Sequence, residues 1–207
     1  MIMSEKALAK KEKNESEEKE RFTKKDVLEI IFYISLVLLF TFLIVTFVAQ
    51  RTVVDGNSMN PTLKDGDNLI VSKITYKVKD PERFDIIVFP FGDSKDTNYI
   101  KRIIGLPGET VQIDYKGNIF INQKKLEESY GAETIRNPGI AEEPIKLGDD
   151  EYFVLGDNRN DSKDSRFADV GNIKRGKIIG KAVFRLFPFN RMHVINHDFY
   201  GDREAVK

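Results

Sequence analysis

The sequence predicts a mainly β protein: an antiparallel β-rich domain preceded by a single N-terminal transmembrane helix. One observation behind this is an uncharged apolar run from Ile30 to Ala49. Another is a series of short β-branched and aromatic runs after residue 51, separated by Asp, Gly and Pro. No helix-period run longer than two turns occurs there, so crossover helices for parallel strand pairing are missing.

The helix prediction depends on the length and evenness of the apolar run. Its 20 residues match the ~20 that a helix needs to cross ~30 Å of hydrocarbon. Apolar residues occupy every face rather than one stripe, which does not fit a core helix. The run exceeds the ~7–15 residues of a cleaved signal's apolar region, and no small-x-small site follows it. We predict a membrane helix over residues 27–50.

Positive charges on either side of this helix predict its orientation. Arg21, Lys24 and Lys25 precede it, whereas only Arg51 follows closely. Lys and Arg concentrate on the cytoplasmic side. We therefore predict a charged cytoplasmic tail over residues 1–26, disordered or a solvated helix, because it holds too few apolar residues to form a core. Residues 51–207 are predicted to be the extracytoplasmic domain.

Six runs in that domain have the composition of β-strands. One of them alternates apolar and polar residues on both sides of a Lys-Gly-Asn turn, which predicts a hairpin. The runs are NLIVSKITY (68–76), DIIVFPF (85–91), NYIKRII (98–104), TVQIDYKGNIFIN (110–122), EYFVLG (151–156) and KIIGKAVFRLF (177–187).

Composition removes several classes of function. The 33 positive residues balance the 33 negative ones, so we predict no nucleic-acid partner. The absence of cysteine excludes thiol nucleophiles, cysteine-type zinc sites and disulfides. His193 and His197 lie four apart but lack a nearby Glu in the metalloprotease pattern. A calcium-binding loop starting at Asp157 would need a ligand, a glycine and a glutamate at its third, sixth and twelfth positions, but Arg159, Ser162 and Ala168 stand there. We expect no metal and no organic cofactor.

Ser58 is the first candidate catalytic residue. It lies in VVDGNSMNPTLKDGD (53–67), among residues that favour sharp turns. A serine hydroxyl needs a nearby base to become a useful nucleophile. Backbone N–H groups of an irregular loop can point at a developing oxyanion. Taken alone, the pattern is more typical of an ordinary loop serine.

Lys101 is a candidate for that base. In the strand 98–104, Tyr99, Lys101 and Ile103 share one face, so we expect the lysine to be partly buried. Burial disfavours the ammonium and lowers its pKa. To act near neutral pH, that pKa must fall by about three units, which takes roughly 4 kcal/mol. A strand lysine whose amine reaches solvent is the alternative.

A polar loop, GDNRNDSKDSR (156–166), follows the strand EYFVL. Its charged side chains, Asp157, Arg159, Asp161, Asp164 and Arg166, could form ion pairs that stiffen it, or it could be a solvated turn. The order of these stretches, with YIKRIIGLPGE (99–109) between the two loops, resembles the bacterial type I signal peptidases from about residue 27 to about residue 190.

The resemblance implies a serine endopeptidase that removes N-terminal signal peptides from secreted precursors at the outer face of the cytoplasmic membrane. It implies that Ser58 is the nucleophile and Lys101 the base of a Ser/Lys dyad with an acyl-enzyme intermediate. Supporting roles fall on Ser162, which orients the amine, on Met59 beside the dyad, and on four bracing residues: Asp157, Arg102, Asp164 and Arg166. Gly56 stands where some members have a serine that assists the oxyanion hole.

The implied partners are precursors bearing signal peptides, with small residues at the first and third positions before the cut, and the lipid bilayer. Ser58 lies nine residues past Ala49, at most ~30 Å of extended chain, so we expect it near the membrane. The runs VFPF (88–91) and LFPF (186–189) either enter the lipid interface or end core strands. A self-cleaving autoprotease and a non-catalytic binding module are the competing hypotheses.

Overall fold

The computed structural model describes residues 23–44, 48–92 and 97–197. The chain divides into two compact units, one ending at Ile44 and one beginning at Val45. The described part of the first unit is one apolar helix, and the second unit is built of antiparallel sheets. The predicted fold class is confirmed. Of the predicted tail, residues 1–22 lie outside the described residues, and the division of the chain into three segments stays a prediction.

Helix α1 (Lys24–Leu43) begins with a capping box. The Thr23 hydroxyl accepts a hydrogen bond from the Asp26 N–H, and the Asp26 carboxylate accepts one from the Thr23 N–H at 2.7 Å. The helix has 20 residues, a mean hydropathy of 2.2 over its most apolar window and no buried residue. At 1.5 Å per residue it is ~30 Å long, so its length and composition suffice to cross a membrane.

The helix differs from the predicted span 27–50 at both ends. The capping box starts it three residues early, at Lys24. Ala49 and Gln50 belong to the first strand instead, because they pair with Ser72 and Val71 in an antiparallel ladder. Apolar composition alone does not distinguish the last residues of an apolar helix from the first residues of a strand that follows in the sequence.

The second unit contains twelve strands, one short α-helix and three 3₁₀ turns within the described residues. The strands are β1 (Ala49–Val53), β2 (Asn68–Ser72), β3 (Ile86–Pro90), β4 (Asn98–Gly105), β5 (Thr110–Ile113), β6 (Ile119–Ile121), β7 (Lys124–Lys125), β8 (Ile145–Lys146), β9 (Glu151–Leu155), β10 (Ile173–Lys174), β11 (Gly180–Phe187) and β12 (His193–Val194). Helix α2 is Thr75–Val78. Each of the six predicted runs contains a strand, and the predicted hairpin is β5–β6.

All the strands pair antiparallel, in two sheets. The large sheet has the order β1-β2-β11-β3-β4-β9-β10, with β12 pairing against β11. The small sheet has the order β7-β6-β5-β8. A shared cluster joins them, because Ile104 and Phe153 of the large sheet pack with Val111, Ile113 and Ile119 of the small one.

Strand β4 separates two environments, as its period of two predicts. Ile100 packs against the cluster that contains Met59, whereas Tyr99 and Ile103 pack with a different cluster on the other face. Lys101 shares its face with Tyr99 and Ile103, and Arg102 lies on the face of Ile100. Neighbouring cations in the chain are therefore directed to opposite sides of the sheet.

The two Phe-Pro runs have different environments. Val88 and Phe89 are each only 1% exposed, so the first run ends a core strand. Phe187 and Phe189 are 46% and 73% exposed. They border an apolar cavity of about 360 Å³ together with Leu186. Of the two runs, only the second has exposed phenylalanine side chains.

Candidate active site

Ser58 lies on the loop between β1 and β2, and this loop is fixed at both ends. The Val54 N–H donates to the Asp67 carbonyl at 2.8 Å, which closes its base. Beyond the serine, Met59 and Leu63 are completely buried and joined by a backbone hydrogen bond of 2.9 Å. Met59 is therefore a core residue, whereas its neighbour Ser58 is only partly buried.

Gly56 lies two residues before Ser58 and has a positive φ of 88°, a conformation that favours glycine. Its N–H donates to the Asp65 carboxylate at 2.8 Å. Because that hydrogen is already bonded and the residue has no side chain, Gly56 supplies no donor toward a substrate. It shapes the turn instead.

The structure brings the Lys101 amine to the Ser58 hydroxyl. Lys101 is 3% exposed, and its Nζ lies 2.8 Å from Ser58 Oγ. The amine also donates to the Ile100 carbonyl at 3.0 Å and lies 5.0 Å from the Tyr99 ring centre. Among the described residues no carboxylate forms an ion pair with it. The two candidates, 43 residues apart in sequence, form one pair.

Burial lowers the pKa of Lys101 from its ordinary value of 10.5 to about 8. The negative charges of Asp164 and Asp157 act in the opposite direction and keep it from falling further. With this pKa, about a tenth of the amines are neutral at pH 7, against about one in 3,000 for an unperturbed lysine. A neutral amine 2.8 Å from a hydroxyl can accept its proton.

Arg102 and Asp157 form a fully buried ion pair with two hydrogen bonds. Nε and Nη2 of Arg102 lie 2.9 and 2.7 Å from the two carboxylate oxygens. The remaining terminal nitrogen donates to the Phe84 carbonyl at 3.0 Å, and the Thr62 hydroxyl donates to Asp157. The pair fixes the start of the polar loop 156–166 against β4.

Asp164 and Arg166 form a second buried pair, within the loop itself. Arg166 donates to the two carboxylate oxygens at 2.8 and 2.9 Å and to the Arg159 carbonyl at 2.6 Å. Asp164 in turn accepts the Gly156 N–H at 3.1 Å. Of the five charged residues named in this loop, four are in buried ion pairs, Asp157, Arg159, Asp164 and Arg166, and for these the solvated-turn alternative is wrong. Asp161 is exposed.

Segment 156–158 joins this loop to the serine loop. The Asn158 N–H donates to the Ser58 carbonyl at 3.0 Å, and its side-chain amide donates to the Asn57 carbonyl at 3.1 Å. A Cβ atom on Gly156 would lie only 2.4 Å from the Ser58 carbonyl oxygen and 2.2 Å from Ser162 Oγ. Only glycine permits this close approach.

Ser162 lies close by, but the predicted hydrogen bond to the lysine amine is not formed. Its Oγ is buried and has no hydrogen-bond partner within the described part of the chain. The amine bonds to Ser58 and to the Ile100 carbonyl instead. An orienting role for Ser162 stays a prediction.

The sequence did not single out Thr62, Asn158 and Tyr130, which all contact the site. The first two lie inside the quoted stretches around Ser58 and Asp157, so their motifs contained the signal. Tyr130 stacks its ring 3.7 Å from the Arg102 guanidinium carbon. No pattern around residue 130 indicates this contact, because it is made by tertiary packing.

One group in the described residues has metal-ligand chemistry. Ligand atoms of Glu82, Asp85 and His197 lie within 4.8 Å of one another. However, the Lys181 ammonium and the Tyr76 hydroxyl already bond Asp85. A metal ion would have to compete with that ammonium. The expected absence of a metal stays a prediction, and His193 is not part of this group.

Two sequence comparisons, one with family models and one with curated proteins, point to the same family. A family model described as "Signal peptidase, peptidase S26" matches residues 27–187. The chain is 46% identical to signal peptidase I of Leptolyngbya laminosa, over 71% of this chain and 73% of that protein. It is 37% identical to signal peptidase I of Bacillus licheniformis, over 86% and 97% respectively. A crystal structure of a signal peptidase I from Enterococcus faecalis is 34% identical and matches 51% of this chain and 98% of that one, with a TM-score of 0.41.

Proposed function

The chain belongs to the S26 family of signal peptidases, serine endopeptidases that remove signal peptides, and we propose that Ser58 and Lys101 are its catalytic dyad. One observation carries the proposal. The Lys101 amine lies 2.8 Å from the Ser58 hydroxyl in a buried site that lowers its pKa to about 8. The same site provides a nucleophile and a base that is partly neutral at physiological pH.

The reaction proceeds by acyl transfer in two steps. Neutral Lys101 takes the Ser58 proton as Oγ attacks the scissile carbonyl carbon, which gives a tetrahedral oxyanion. As this collapses, the carbon–nitrogen bond breaks and the leaving amine takes the proton from the lysine ammonium. A water molecule, deprotonated by Lys101, then attacks the ester. The signal peptide leaves as a free acid, and Ser58 regains its proton.

The oxyanion is held by backbone donors. Gly56 offers neither a side-chain hydroxyl nor a free N–H, because its N–H is bonded to Asp65. The Ser58 N–H is the donor we assign, since it moves with the nucleophile and lies on an irregular loop outside the strand ladders. The Asn158–Ser58 hydrogen bond fixes the adjacent carbonyl, and so fixes the direction of the serine backbone.

The substrate segment adds to an open edge of β4. Strand β4 pairs with β3 over Asn98–Arg102, but its pairing with β9 begins only at Arg102. On that second side, Asn98–Lys101 have no strand partner among the described residues. An extended peptide placed there passes the dyad, and its alternate side chains face the protein. This periodicity fits small residues at the first and third positions before the cut.

Helix α1 is the membrane anchor, with its N-terminus in the cytoplasm and the catalytic domain outside. Its length and hydropathy support spanning, and the flanking Lys24 and Lys25 support the orientation. Phe187 and Phe189, which are exposed, support contact of the catalytic domain with the lipid interface. A precursor held by its own apolar segment would present its cleavage site at this surface, and tethering both partners raises their effective concentration.

The test is cleavage of a precursor with alanine at the first and third positions before the cut, by the full chain in detergent. We expect Ser58→Ala to abolish cleavage and the wild-type rate to rise with pH through about 8, as Lys101 loses its proton. A zinc chelator should have no effect. Cleavage of its own chain alone would favour an autoprotease, and binding without cleavage would favour a binding module.

A further inference from the structure

We propose that Glu128 and Tyr130 are positioning residues for the Ser58–Lys101 pair. They belong to residues 128–132, here called the clamp, which follow β7 of the small sheet. The clamp holds the segment 156–158, and that segment holds the serine loop. The inference rests on the proposed dyad, because it assigns a role in the reaction that the dyad performs.

The clamp is organised by the Glu128 carboxylate. One of its oxygens accepts the Tyr130 N–H at 2.8 Å, which shapes the loop. The other accepts a hydrogen bond from Arg159 Nη1 at 2.7 Å, in an ion pair whose side chains are only 10% and 3% exposed. Nε of the same arginine donates to the Gly156 carbonyl at 3.1 Å. Glu128 therefore acts through the Arg159 side chain on Gly156, the glycine that lies against the Ser58 carbonyl.

A second connection runs through the backbone. The Ala132 N–H donates to the Asp157 carbonyl at 2.7 Å. The preceding carbonyl, that of Gly156, is bonded by Arg159, which is itself paired with Glu128 of the clamp. Both peptide groups that flank the Asp157 Cα are therefore attached to the clamp, one directly and one through Arg159. The following N–H, that of Asn158, bonds the Ser58 carbonyl. Movement of the clamp would therefore be transmitted to the nucleophile across only two hydrogen bonds.

Tyr130 provides the third connection, through Arg102. Its ring lies 3.7 Å from the guanidinium carbon and packs against Phe84, whose ring centre is 4.9 Å away. Its hydroxyl donates to the His197 carbonyl. The residue is 4% exposed. A flat ring over a buried guanidinium favours the charged group and limits its movement, so Tyr130 keeps Arg102 aligned for its bidentate pair with Asp157.

Neither Glu128 nor Tyr130 contacts the Lys101 amine or the Ser58 hydroxyl, so any effect on the reaction must act through position. A displacement of about 1 Å at reacting atoms can cost ~10²-fold in rate. Such a displacement of the serine loop would also admit water to the Lys101 amine. Burial is the main cause of the low pKa of that amine, which is faced by Ser58, Tyr99, Asp157 and Asp164. Loosening the site should therefore return the pKa toward 10.5.

The experiment measures kcat, KM and the pH–rate profile of precursor cleavage by the full chain in detergent. The variants are Tyr130→Leu, which removes the ring, Tyr130→Phe, which keeps it, and Glu128→Gln, which keeps the size of the side chain and removes its charge. Ile119→Ala is the matched control: Ile119 is 3% exposed in the core of the same small sheet but is not part of the clamp.

For Tyr130→Leu and Glu128→Gln we expect kcat to fall at least about tenfold with KM within about twofold of wild type. The rising limb of the pH profile should move to higher pH. Tyr130→Phe should retain more than about a third of the wild-type kcat. Ile119→Ala should lower the melting temperature without moving the limb, because loss of folded protein reduces the rate equally at every pH.

The inference is overturned if the clamp variants match Ile119→Ala in kcat and in the position of the limb. If Tyr130→Leu does not fold, Glu128→Gln decides by the same two criteria. Failure of the dyad itself would be distinguishable, because Ser58→Ala would then remain active whatever the clamp variants do.

Discussion

Lys101 and Arg102 are adjacent cations on β4, both nearly inaccessible to solvent, yet their surroundings differ. Arg102 meets a carboxylate in a two-point ion pair with Asp157. Lys101, on the opposite face, meets a hydroxyl and a carbonyl. The two carboxylates that act on its charge, Asp157 and Asp164, are each held in an ion pair with an arginine.

The difference shows how one strand can supply both a rigid support and the base that we propose. A buried cation with a bonded counter-ion keeps its charge and fixes the elements that carry the two partners. A buried cation without one is destabilised relative to its neutral form, and lysine responds by losing its proton. Arginine cannot respond in this way, because it remains protonated in proteins. The residue types at positions 101 and 102 therefore follow from their two environments.

The largest effect on cleavage should come from placing an arginine at position 101, as at position 102. Lys101→Arg places a permanent cation beside Ser58 and removes the proposed base, so we expect precursor cleavage to fall by at least about 10³-fold at every pH. Lys174→Arg, on an exposed part of β10, is the matched control and should cleave at the wild-type rate. Substantial cleavage by Lys101→Arg would mean that the amine does not accept the serine proton.

Removing the paired cation, Arg102, should instead lower the free energy of unfolding. Arg102→Met leaves the Asp157 carboxylate buried without its partner, which costs about 3–5 kcal/mol of unfolding free energy. We would measure urea unfolding of the full chain in detergent at pH 7. Arg136→Met, which breaks the exposed pair with Glu133, should cost less than about 1 kcal/mol. Equal losses in the two variants would contradict the structural role assigned to the Arg102–Asp157 pair.

The same contrast explains which features the sequence could predict. Strand periodicity placed Lys101 and Arg102 on opposite faces, and the apolar neighbours indicated burial, so the lowered lysine pKa was predictable. The strands around them were predictable for the same reason. The two-residue strands β7, β8, β10 and β12 were not, because runs this short carry no periodic signal.

Contacts across long sequence separations set the remaining details. The pairing of Ala49 with Ser72, which makes Ala49 part of β1 and not of the apolar helix, is encoded by no local pattern. The stacking of Tyr130 on Arg102 depends on how the segment after β7 of the small sheet packs against β4 of the large sheet. The missing hydrogen bond of Ser162 also depends on tertiary packing, that of the loop 156–166 beside β4. Motifs located the residues of the site, but not the side-chain geometry within it.

Of the three substitutions Lys101→Arg, Arg102→Met and Lys101→Met, the last should have the smallest effect. It should raise the free energy of unfolding, whereas Arg102→Met should lower it. The fall in the Lys101 pKa from 10.5 to about 8 corresponds to about 3 kcal/mol of stability, at ~1.36 kcal/mol for each tenfold change in proton affinity. Below about pH 8 the folded and unfolded states both carry the ammonium, and the full penalty applies to the wild type. Methionine, with a similar length and no charge, should therefore raise the free energy of unfolding at pH 7.

The dependence of this gain on pH distinguishes it from a simple packing effect. Between about pH 8 and 10.5 the unfolded state binds more protons than the folded state, so wild-type stability rises with pH in that window. The advantage of Lys101→Met should shrink across the same window and be smallest above 10.5. Urea unfolding at pH 7, 9 and 10.5 measures this, with Lys174→Met as the control for alkaline effects on an exposed lysine. A variant less stable than wild type at pH 7, or a difference that does not change with pH, would mean that the buried amine is stabilised by its surroundings, as Arg102 is.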